Sequence, residues 1–280
     1  KNGKLSGKIT KIENEIATID TELENEITNK EIKKAQNIFH DRYENSCSKI
    51  GQGAFGTVEK CNNTKPNDNT RTKGGLNGDV AVKTVNVTYS SGINLTRINT
   101  IENEVAIMKR LQHPKQHPNI LNILDSAEFN FNFRNETSTW KIATEICSGG
   151  DLRNYITTCR EKKKTMSKEA LKKITMELMS AVEYIHSKNI AHRDIKPANI
   201  MFVTEVREGG VFPSIKLIDF GQSNHYGRNN IMTKIVGTPG YQSYEMAPFG
   251  KVEYNELCDE WACGVVLYEC VDIQCYISRG

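Results

Sequence analysis

The sequence contains no long hydrophobic run and no strong excess of charge of either sign. None of its apolar stretches approaches the roughly 18 residues that a membrane-spanning helix needs. Its 37 Lys and Arg residues are nearly balanced by 34 Asp and Glu residues, which leaves a formal net charge of +3. Because the charges are well mixed, the composition gives no electrostatic reason to expect a nucleic-acid or membrane partner.

The sequence also lacks a C-x-x-C pair and an initial methionine. Its eight cysteines are scattered, at positions 47, 61, 147, 159, 258, 263, 270 and 275. A chain of 280 residues can bury a sizeable core without disulfides, so we expect reduced thiols and a cytoplasmic location. Because the chain begins at Lys1, we expect a fragment or a trimmed chain, in which a missing targeting signal carries little information.

Residues 1–45 are a charged leader with a helical apolar pattern. Apolar residues recur three or four positions apart, and the register then slips at Glu26; the recurring residues are Ile9, Ile12, Ile16, Ile19 and Leu23. About two regular heptads are fewer than a coiled coil requires. The pattern favours an amphipathic helix that packs on its own domain or is partly disordered. A partner-binding helix and the absence of a helix remain open.

The most informative stretch is residues 190–201, a polar loop between two apolar segments. It carries Asp194, Lys196 and Asn199 at spacings of two and three. The flanks predict a buried helix end before the loop and a short strand after it, which would hold the polar residues in a fixed geometry. The pattern H-R-D-x-K-P-x-N resembles the catalytic loop of eukaryotic protein kinases, in the form typical of serine/threonine kinases.

A glycine-rich segment at residues 49–60 extends this resemblance. Its glycines at 51, 53 and 56 let backbone N–H groups approach a phosphate without an intervening side chain. The spacing G-x-G-x-x-G also opens dinucleotide-binding folds, but there the third glycine starts a helix. Here the alternation continues as a strand through Val58, which favours a hairpin like the kinase glycine-rich loop.

Lys83 lies in the middle of a valine-rich strand, where a buried charge requires a partner. The local sequence V-A-V-K resembles the kinase strand whose lysine contacts the nucleotide phosphates and a glutamate of the next helix. Residues 98–111 have a helical apolar face. The spacing to His113 favours Glu104 as that glutamate, with Glu102 as the competing candidate.

Residues 144–152 resemble the hinge between the two kinase lobes. The resemblance implies that Glu145 and Cys147 offer main-chain groups to adenine, that Thr144 is the gatekeeper and that Asp151 is an acidic ribose contact. It implies a larger set of nucleotide-binding residues, namely Ile50, Gly51, Gly53, Gly56, Val58, Ala81, Lys83, Thr144, Glu145, Cys147, Asp151, Met201 and Asp219.

A strand at residues 214–218 ends in Asp219-Phe220-Gly221. A carboxylate at a strand end suits a hard cation, and Mg²⁺ takes only one or two protein oxygens when phosphates supply others. We expect Asp219 and the amide oxygen of Asn199 to be these ligands. The resemblance implies ATP and Mg²⁺, with Asp194 as the base, Lys196 near the transferred phosphate and Lys83 held by Glu104.

Residues 222–245 resemble the kinase activation segment. Arg193 is the cation that in related kinases pairs with a phosphate on this segment, and Thr233 lies nearest the usual position of that phosphate. We expect Thr238 to contact Asp194 and Lys196. The sequence Ser-Tyr-Glu at 243–245 replaces the usual Ala-Pro-Glu, which puts the rigidity of this corner in doubt.

These motifs together predict an α+β fold with two lobes. The N-lobe, about 46–146, would be a small antiparallel sheet with one main helix, and the C-lobe, about 149–280, would be mostly helical. Residues 258–269 resemble the start of the kinase αF helix, whose Asp259 would brace the catalytic loop. Because the sequence ends shortly after that helix, we expect the C-lobe to be incomplete.

The function that the resemblance implies is ATP-dependent transfer of the γ-phosphate to Ser or Thr hydroxyls of protein substrates. Motif contexts lean weakly towards the calmodulin- or calcium-dependent branch. One alternative is a nucleotide-binding pseudokinase or scaffold that is inactive in this fragment. Such proteins normally lack one of Lys83, Asp194 and Asp219, and all three are present here. The other alternative makes the leader a docking or oligomerisation module.

Light scattering distinguishes the readings of the leader. If it packs on its own domain, the chain has the mass of a monomer both with and without residues 1–45. A larger mass that falls to the monomer value on removal of the leader would instead support the oligomerisation module.

Overall fold

The computed structural model describes residues 30–43, 45–53, 56–64, 78–88, 93–132, 137–227, 231–246 and 253–278. The apolar seam expected over residues 9–23 lies outside these ranges. The same holds for the tip of the glycine-rich loop at 54–55 and for most of the loop expected over 62–79.

A five-stranded antiparallel sheet forms the first lobe. Its strands are β1 Asn45–Gly53, β2 Gly56–Asn62, β3 Asp79–Thr88, β4 Ile123–Asn132 and β5 Thr137–Glu145, in the order β1-β2-β3-β5-β4. Helix α2, Ile93–Leu111, connects β3 to β4. In the middle of the sheet, Lys83 pairs with Val58 on one side and with Ile142 on the other. This register places a lysine at the centre of the lobe.

A further helix, α1, runs over residues 30–43 and packs on this sheet. Phe39 and Tyr43 are almost completely buried in a cluster with Val80 and Val82 of β3. The rings of Phe39 and Phe129 meet edge to face, with their centroids 5.7 Å apart. The last third of the leader therefore contributes to the core of the first lobe.

Cys47 and Cys61 form a disulfide between β1 and β2, so the expectation of reduced thiols is wrong for this pair. The strands are antiparallel, and Ser48 pairs with Lys60 while Asn45 pairs with Asn62. This register brings the two cysteines opposite each other although 14 residues separate them. Cysteines 147, 159, 258, 263 and 270 are free.

The second lobe is mostly helical. Its elements are α3 Leu152–Glu161, α4 Lys168–Ser187 and α5 Leu257–Ser278, with the short strands β6 Ile190–Ala191, β7 Ile200–Phe202, β8 Ile215–Leu217 and β9 Asn224–His225. Helix α4 begins after Ser167, whose hydroxyl accepts the Ala170 N–H at 3.1 Å. Such a cap satisfies one of the free N–H groups of the first turn. The α+β two-lobed architecture predicted from the motifs is confirmed.

The helices of the described ranges include none that is both long enough and apolar enough to cross a membrane.

Replacing Phe39 tests whether α1 is part of the first lobe. Because the ring is buried, we expect Phe39→Ala to lower the free energy of unfolding by about 3–5 kcal/mol, measured by chemical denaturation. The neighbouring Ile38 is 50% exposed, so Ile38→Ala is the matched control. An equal, small effect of both changes would contradict the packing of α1 on the sheet.

Candidate active site

A cavity of about 700 Å³ lies between the sheet and the second lobe. This volume is in the range typical of small-molecule sites. Most of the residues predicted to bind a nucleotide line it, together with the predicted catalytic residues: Ile50, Gly56, Val58, Ala81, Lys83, Glu104, Thr144, Glu145, Cys147, Asp194, Lys196, Asn199, Met201 and Asp219. Residues from segments far apart in the sequence thus meet at one site.

Three of the predicted nucleotide-binding residues are not among the lining residues: Gly51, Gly53 and Asp151. Asp151 instead caps helix α3, because its two carboxylate oxygens accept the backbone N–H and the side-chain amide of Asn154, each at 2.8 Å. Gly51 and Gly53 lie in β1 and pair with Val58 and Gly56 across the hairpin.

Gly56 serves the packing of the sheet as well as the wall of the cavity. It has a φ of +155°, and a Cβ atom placed there would lie 1.8 Å from the carbonyl oxygen of Thr84. Only glycine permits this close approach of β2 to β3.

The side chain of Lys83 on β3 forms an ion pair with the side chain of Glu104 on α2. The Lys83 Nζ atom lies 2.8 Å from Glu104 Oε1 and 3.2 Å from Oε2. Burial alone would lower the pKa of Lys83, but the negative charges of Glu104 and Asp219 outweigh it and hold that pKa above its ordinary value. The raised pKa keeps Lys83 protonated at neutral pH. The preference for Glu104 over Glu102 as its partner is confirmed.

Asp194 sits at the centre of a network of short hydrogen bonds. Its Oδ1 accepts the Thr238 hydroxyl at 2.7 Å, and its Oδ2 accepts the Lys196 ammonium at 2.8 Å. The same ammonium donates to the Thr238 oxygen at 2.7 Å. The predicted contacts of Thr238 with Asp194 and Lys196 are confirmed. These contacts fix the orientation of the Asp194 carboxylate.

Gly237 allows the activation segment to approach this network. Its φ is +89°, and an added Cβ would lie 2.3 Å from the carbonyl oxygen of Arg193. A side chain at this position would push Thr238 away from Asp194.

Asp259 at the start of α5 holds the backbone of the catalytic loop. Its Oδ2 and Oδ1 accept the N–H groups of His192 and Arg193, both at 2.7 Å, and His186 Nε2 lies 3.0 Å from Oδ2. The carboxylate is completely buried. The expected bracing role of Asp259 is confirmed. It stabilises a turn in which Arg193 has a φ of +67°, a value that non-glycine residues rarely adopt.

The imidazole of His192 connects the catalytic loop to the segment that carries Asp219. Its Nδ1 accepts the N–H of Asp194 at 3.3 Å, while its Nε2 lies 3.0 Å from the carbonyl oxygen of Ile218. Because Nδ1 accepts a hydrogen bond, Nε2 is the ring nitrogen that donates, to the Ile218 carbonyl. The ring also packs edge to face on the buried Phe220, with the centroids 5.0 Å apart. Asp219 follows with a left-handed backbone (φ +63°).

Asn199 and Asp219 have the donor atoms that a magnesium ion would need. The Asn199 amide nitrogen donates to the Asp194 carbonyl at 2.8 Å, which leaves its oxygen as the acceptor atom of the side chain. In the described part of the chain, no group of three or more His, Cys, Asp or Glu side chains could hold a metal by itself.

Three successive residues at the predicted hinge, Glu145, Ile146 and Cys147, line the cavity. Glu145 directs its side chain elsewhere, because Oε1 accepts the Asn122 N–H at 2.7 Å and lies 2.8 Å from Lys216 Nζ. Burial, followed by the charge of Glu145, raises the pKa of the Cys147 thiol to about 12, so this thiol is protonated at neutral pH.

Arg193 is held by neutral groups. Its Nε donates to the Gln222 carbonyl at 2.6 Å and its Nη1 donates to the Tyr254 hydroxyl at 3.1 Å. Tyr254 in turn donates to the Lys234 carbonyl at 2.6 Å, and Thr233 is exposed nearby in the chain. A phosphate on Thr233 as the partner of Arg193 stays a prediction.

Sequence reasoning missed the apolar wall of the cavity, which is formed by Met108, Leu121, Ile142 and Ile218. Only one of these residues, Met108, had a usable signal in the sequence. Met108 is four residues after Glu104 on the same helix, and residues at that spacing share a face. Ile142 pairs with Lys83 only through the sheet register, which the sequence does not reveal.

The two lobes, the cavity between them and the Asp194 network define the phosphotransferase class of site found in kinases. Comparison with known families agrees, because the model of the protein kinase domain matches residues 44–278. The chain belongs to the protein kinase domain family.

Curated relatives are serine/threonine kinases from several branches. The chain is 30% identical to calcium-dependent protein kinase 5 of Plasmodium berghei over 81% of its length and 34% of that protein. It is 28% identical to the serine/threonine-protein kinase ATG1 of Debaryomyces hansenii over 79% of its length and 26% of the relative. It is 31% identical to the serine/threonine-protein kinase nekl-2 of Caenorhabditis elegans over 80% and 56% of the two chains. The calcium-dependent branch thus remains a weak preference.

Asp259→Asn tests the bracing of the catalytic loop. The Asn side chain would place its NH₂ group against a backbone N–H, so two donors would face each other. We therefore expect the free energy of unfolding to fall by about 1–3 kcal/mol. We expect kcat to fall roughly tenfold to a hundredfold because Asp194 is displaced. Denaturation and steady-state kinetics measure the two effects. The exposed neighbour Glu260 supplies the control Glu260→Gln, and an unchanged kcat in Asp259→Asn would contradict the bracing role.

Proposed function

We propose that this chain is the catalytic part of a serine/threonine protein kinase that transfers the γ-phosphate of ATP to protein hydroxyls. The observation that carries the proposal is the junction of Asp194, Lys196 and Thr238 at the mouth of the cavity that contains the Lys83–Glu104 pair. The chain spans between about a quarter and a third of the length of the first three curated relatives, so the activity of the whole protein is part of the proposal.

In this proposal, the cavity binds ATP with its base at the hinge and its phosphates towards Lys83. The main chain of Glu145 and Cys147 receives the adenine edge, and the apolar residues around them pack on the ring. Lys83, which Glu104 holds in place, binds the α- and β-phosphates. Asp151 would have to release Asn154 to reach a ribose, so we assign the ribose contact a minor part.

Asn199 and Asp219 would hold magnesium, which supplies charge neutralisation for the phosphates when it is bound. Asp194 positions the substrate hydroxyl and accepts its proton through the carboxylate that now accepts the Thr238 hydroxyl. Lys196 offsets the negative charge on the phosphoryl group during transfer. Such reactions depend on positioning and electrostatics more than on covalent catalysis.

The substrate class follows from the activation segment. The Thr238 hydroxyl bridges Asp194 and Lys196, which resembles kinases that act on Ser or Thr. Protein substrates are what the kinase family implies. A partner for the leader remains a proposal that concerns residues before α1.

A pseudokinase or scaffold is the second candidate, and the charged groups of the cavity favour it less. A site that only binds nucleotide does not need Asp194 in contact with both Lys196 and Thr238. The ion pair between Lys83 and Glu104 is also formed here.

Asp194→Asn tests the proposed base. The amide is close in shape to the carboxylate but cannot accept a proton, so we expect transfer of labelled phosphate from ATP to a generic basic protein to be abolished. Binding of ATP, followed by calorimetry, should change by less than about threefold because Asp194 contributes little to the ground state. Activity that survives in the variant would refute the assignment of Asp194 as the base.

A further inference from the structure

The side chains of Lys216 and Glu145 form an ion pair at the hinge end of the cavity, and neither side chain belongs to the set of proposed catalytic groups. The Nζ of Lys216 lies 2.8 Å from Glu145 Oε1, and the two side chains are only 8% and 7% exposed. Charged groups are rarely buried to this degree unless they are paired. Lys216 lies in β8, and Glu145 ends β5 at the hinge.

The three N–H donors of the Lys216 ammonium have three acceptors. Besides Glu145, the ammonium donates to the carbonyl oxygens of Pro118 and Ile120 at 2.9 and 3.2 Å. The Glu145 carboxylate is similarly fixed by the N–H of Asn122 at 2.7 Å. An ammonium has three donors, so this lysine is fully satisfied in one position.

The same segment, 118–122, is also tied to β8 through the backbone. Leu217 donates its N–H to Asn119 at 2.8 Å and accepts the N–H of Leu121 at 3.0 Å. One residue further, the Ile218 N–H donates to the carbonyl of Asn199 at 2.9 Å. Strand β8 then leads to Asp219. The ion pair therefore joins the hinge to the strand that positions both proposed magnesium ligands.

We propose that Lys216 and Glu145 are positioning residues that set the distance between the base-binding hinge and the phosphate-binding end of the cavity. This inference rests on the proposed function, because it concerns the binding of ATP at that site. ATP must contact both ends at once, whereas adenosine contacts the hinge end alone. Loss of the ion pair should therefore weaken the binding of ATP more than the binding of adenosine.

The test compares Glu145→Gln, Lys216→Met and the double variant with the native chain. Glu145→Gln keeps an oxygen that can accept the Asn122 N–H. Lys216→Met leaves a buried carboxylate without its partner, which is strongly destabilising. The double variant contains no unpaired buried charge and carries the test if Lys216→Met does not fold. Thermal denaturation reports the folded state of each variant.

Glu177→Gln is the matched control. Glu177 accepts the N–H of Ile215 at 2.8 Å, so it also holds β8 through a carboxylate, but its other partner, Lys173, lies on α4. Glu177→Gln makes the same chemical change at a carboxylate that contacts β8 from α4, without touching the hinge.

Calorimetry with Mg·ATP and with adenosine supplies the decisive readout. We expect the Kd for Mg·ATP to rise roughly tenfold to a hundredfold in each pair variant, and the Kd for adenosine to rise by less than about threefold. The double variant should resemble the single variants because both changes break one link. Glu177→Gln should leave both constants near the native values.

Three results would overturn the inference. The first is an equal loss of affinity for Mg·ATP and for adenosine. The second is that the effects of the two single changes on the Kd for Mg·ATP add up in the double variant. The third is the same selective loss of affinity for Mg·ATP in Glu177→Gln. If the native chain binds no Mg·ATP, the proposed function itself fails, and the inference fails with it. If the native chain binds Mg·ATP but the pair variants bind it equally well, the inference alone fails.

Discussion

The buried carboxylate of Asp259 is the constraint on which the catalytic loop depends. It accepts two consecutive backbone N–H groups, those of His192 and Arg193, and this requires the turn with a positive φ at Arg193. Such a backbone is costly for a residue with a side chain and persists only where its surroundings hold it. The position of Asp194 follows from that turn. Helix α5, which carries Asp259, therefore acts on the chemistry without touching the cavity.

Around this anchor, each charged group of the site is held by groups from another part of the chain. Lys83 of the sheet pairs with Glu104 of α2, and Lys196 of the loop meets Thr238 of the activation segment. Because a buried charge without a partner is expensive, the site is complete only when all these segments are folded together. The departure at residues 243–245 does not disturb this arrangement, since Gly237 and Thr238 reach Asp194 in the structure.

The first lobe has two features that set its outer side apart. Helix α1 covers one face of the sheet with Phe39 and Tyr43, and the Cys47–Cys61 disulfide connects β1 to β2 at the base of the glycine-rich hairpin. Helix α1 and the disulfide both contact strands whose residues line the cavity. The hinge is tied to the second lobe by Lys216 and Glu145, so the two ends of the cavity are linked by more than the passage of the chain.

The family, the two-lobed α+β fold and the polar groups of the site could be predicted from the sequence, because short motifs such as H-R-D-x-K-P-x-N need particular side chains at fixed spacings. The valines on either side of Lys83 also indicated a strand, and a lysine in that position indicated that its buried charge requires a partner. Tertiary structure alone decided what depends on register and on distant packing. The pairing of Cys47 with Cys61 arises from the β1–β2 register, and Ile142 reaches the cavity through its pairing with Lys83. Asp151 caps α3 through Asn154, only three residues further along the chain. Helix α1 packs on the sheet and Glu145 turns its side chain to Lys216, because in both cases the residues that make contact are remote from each other in the sequence.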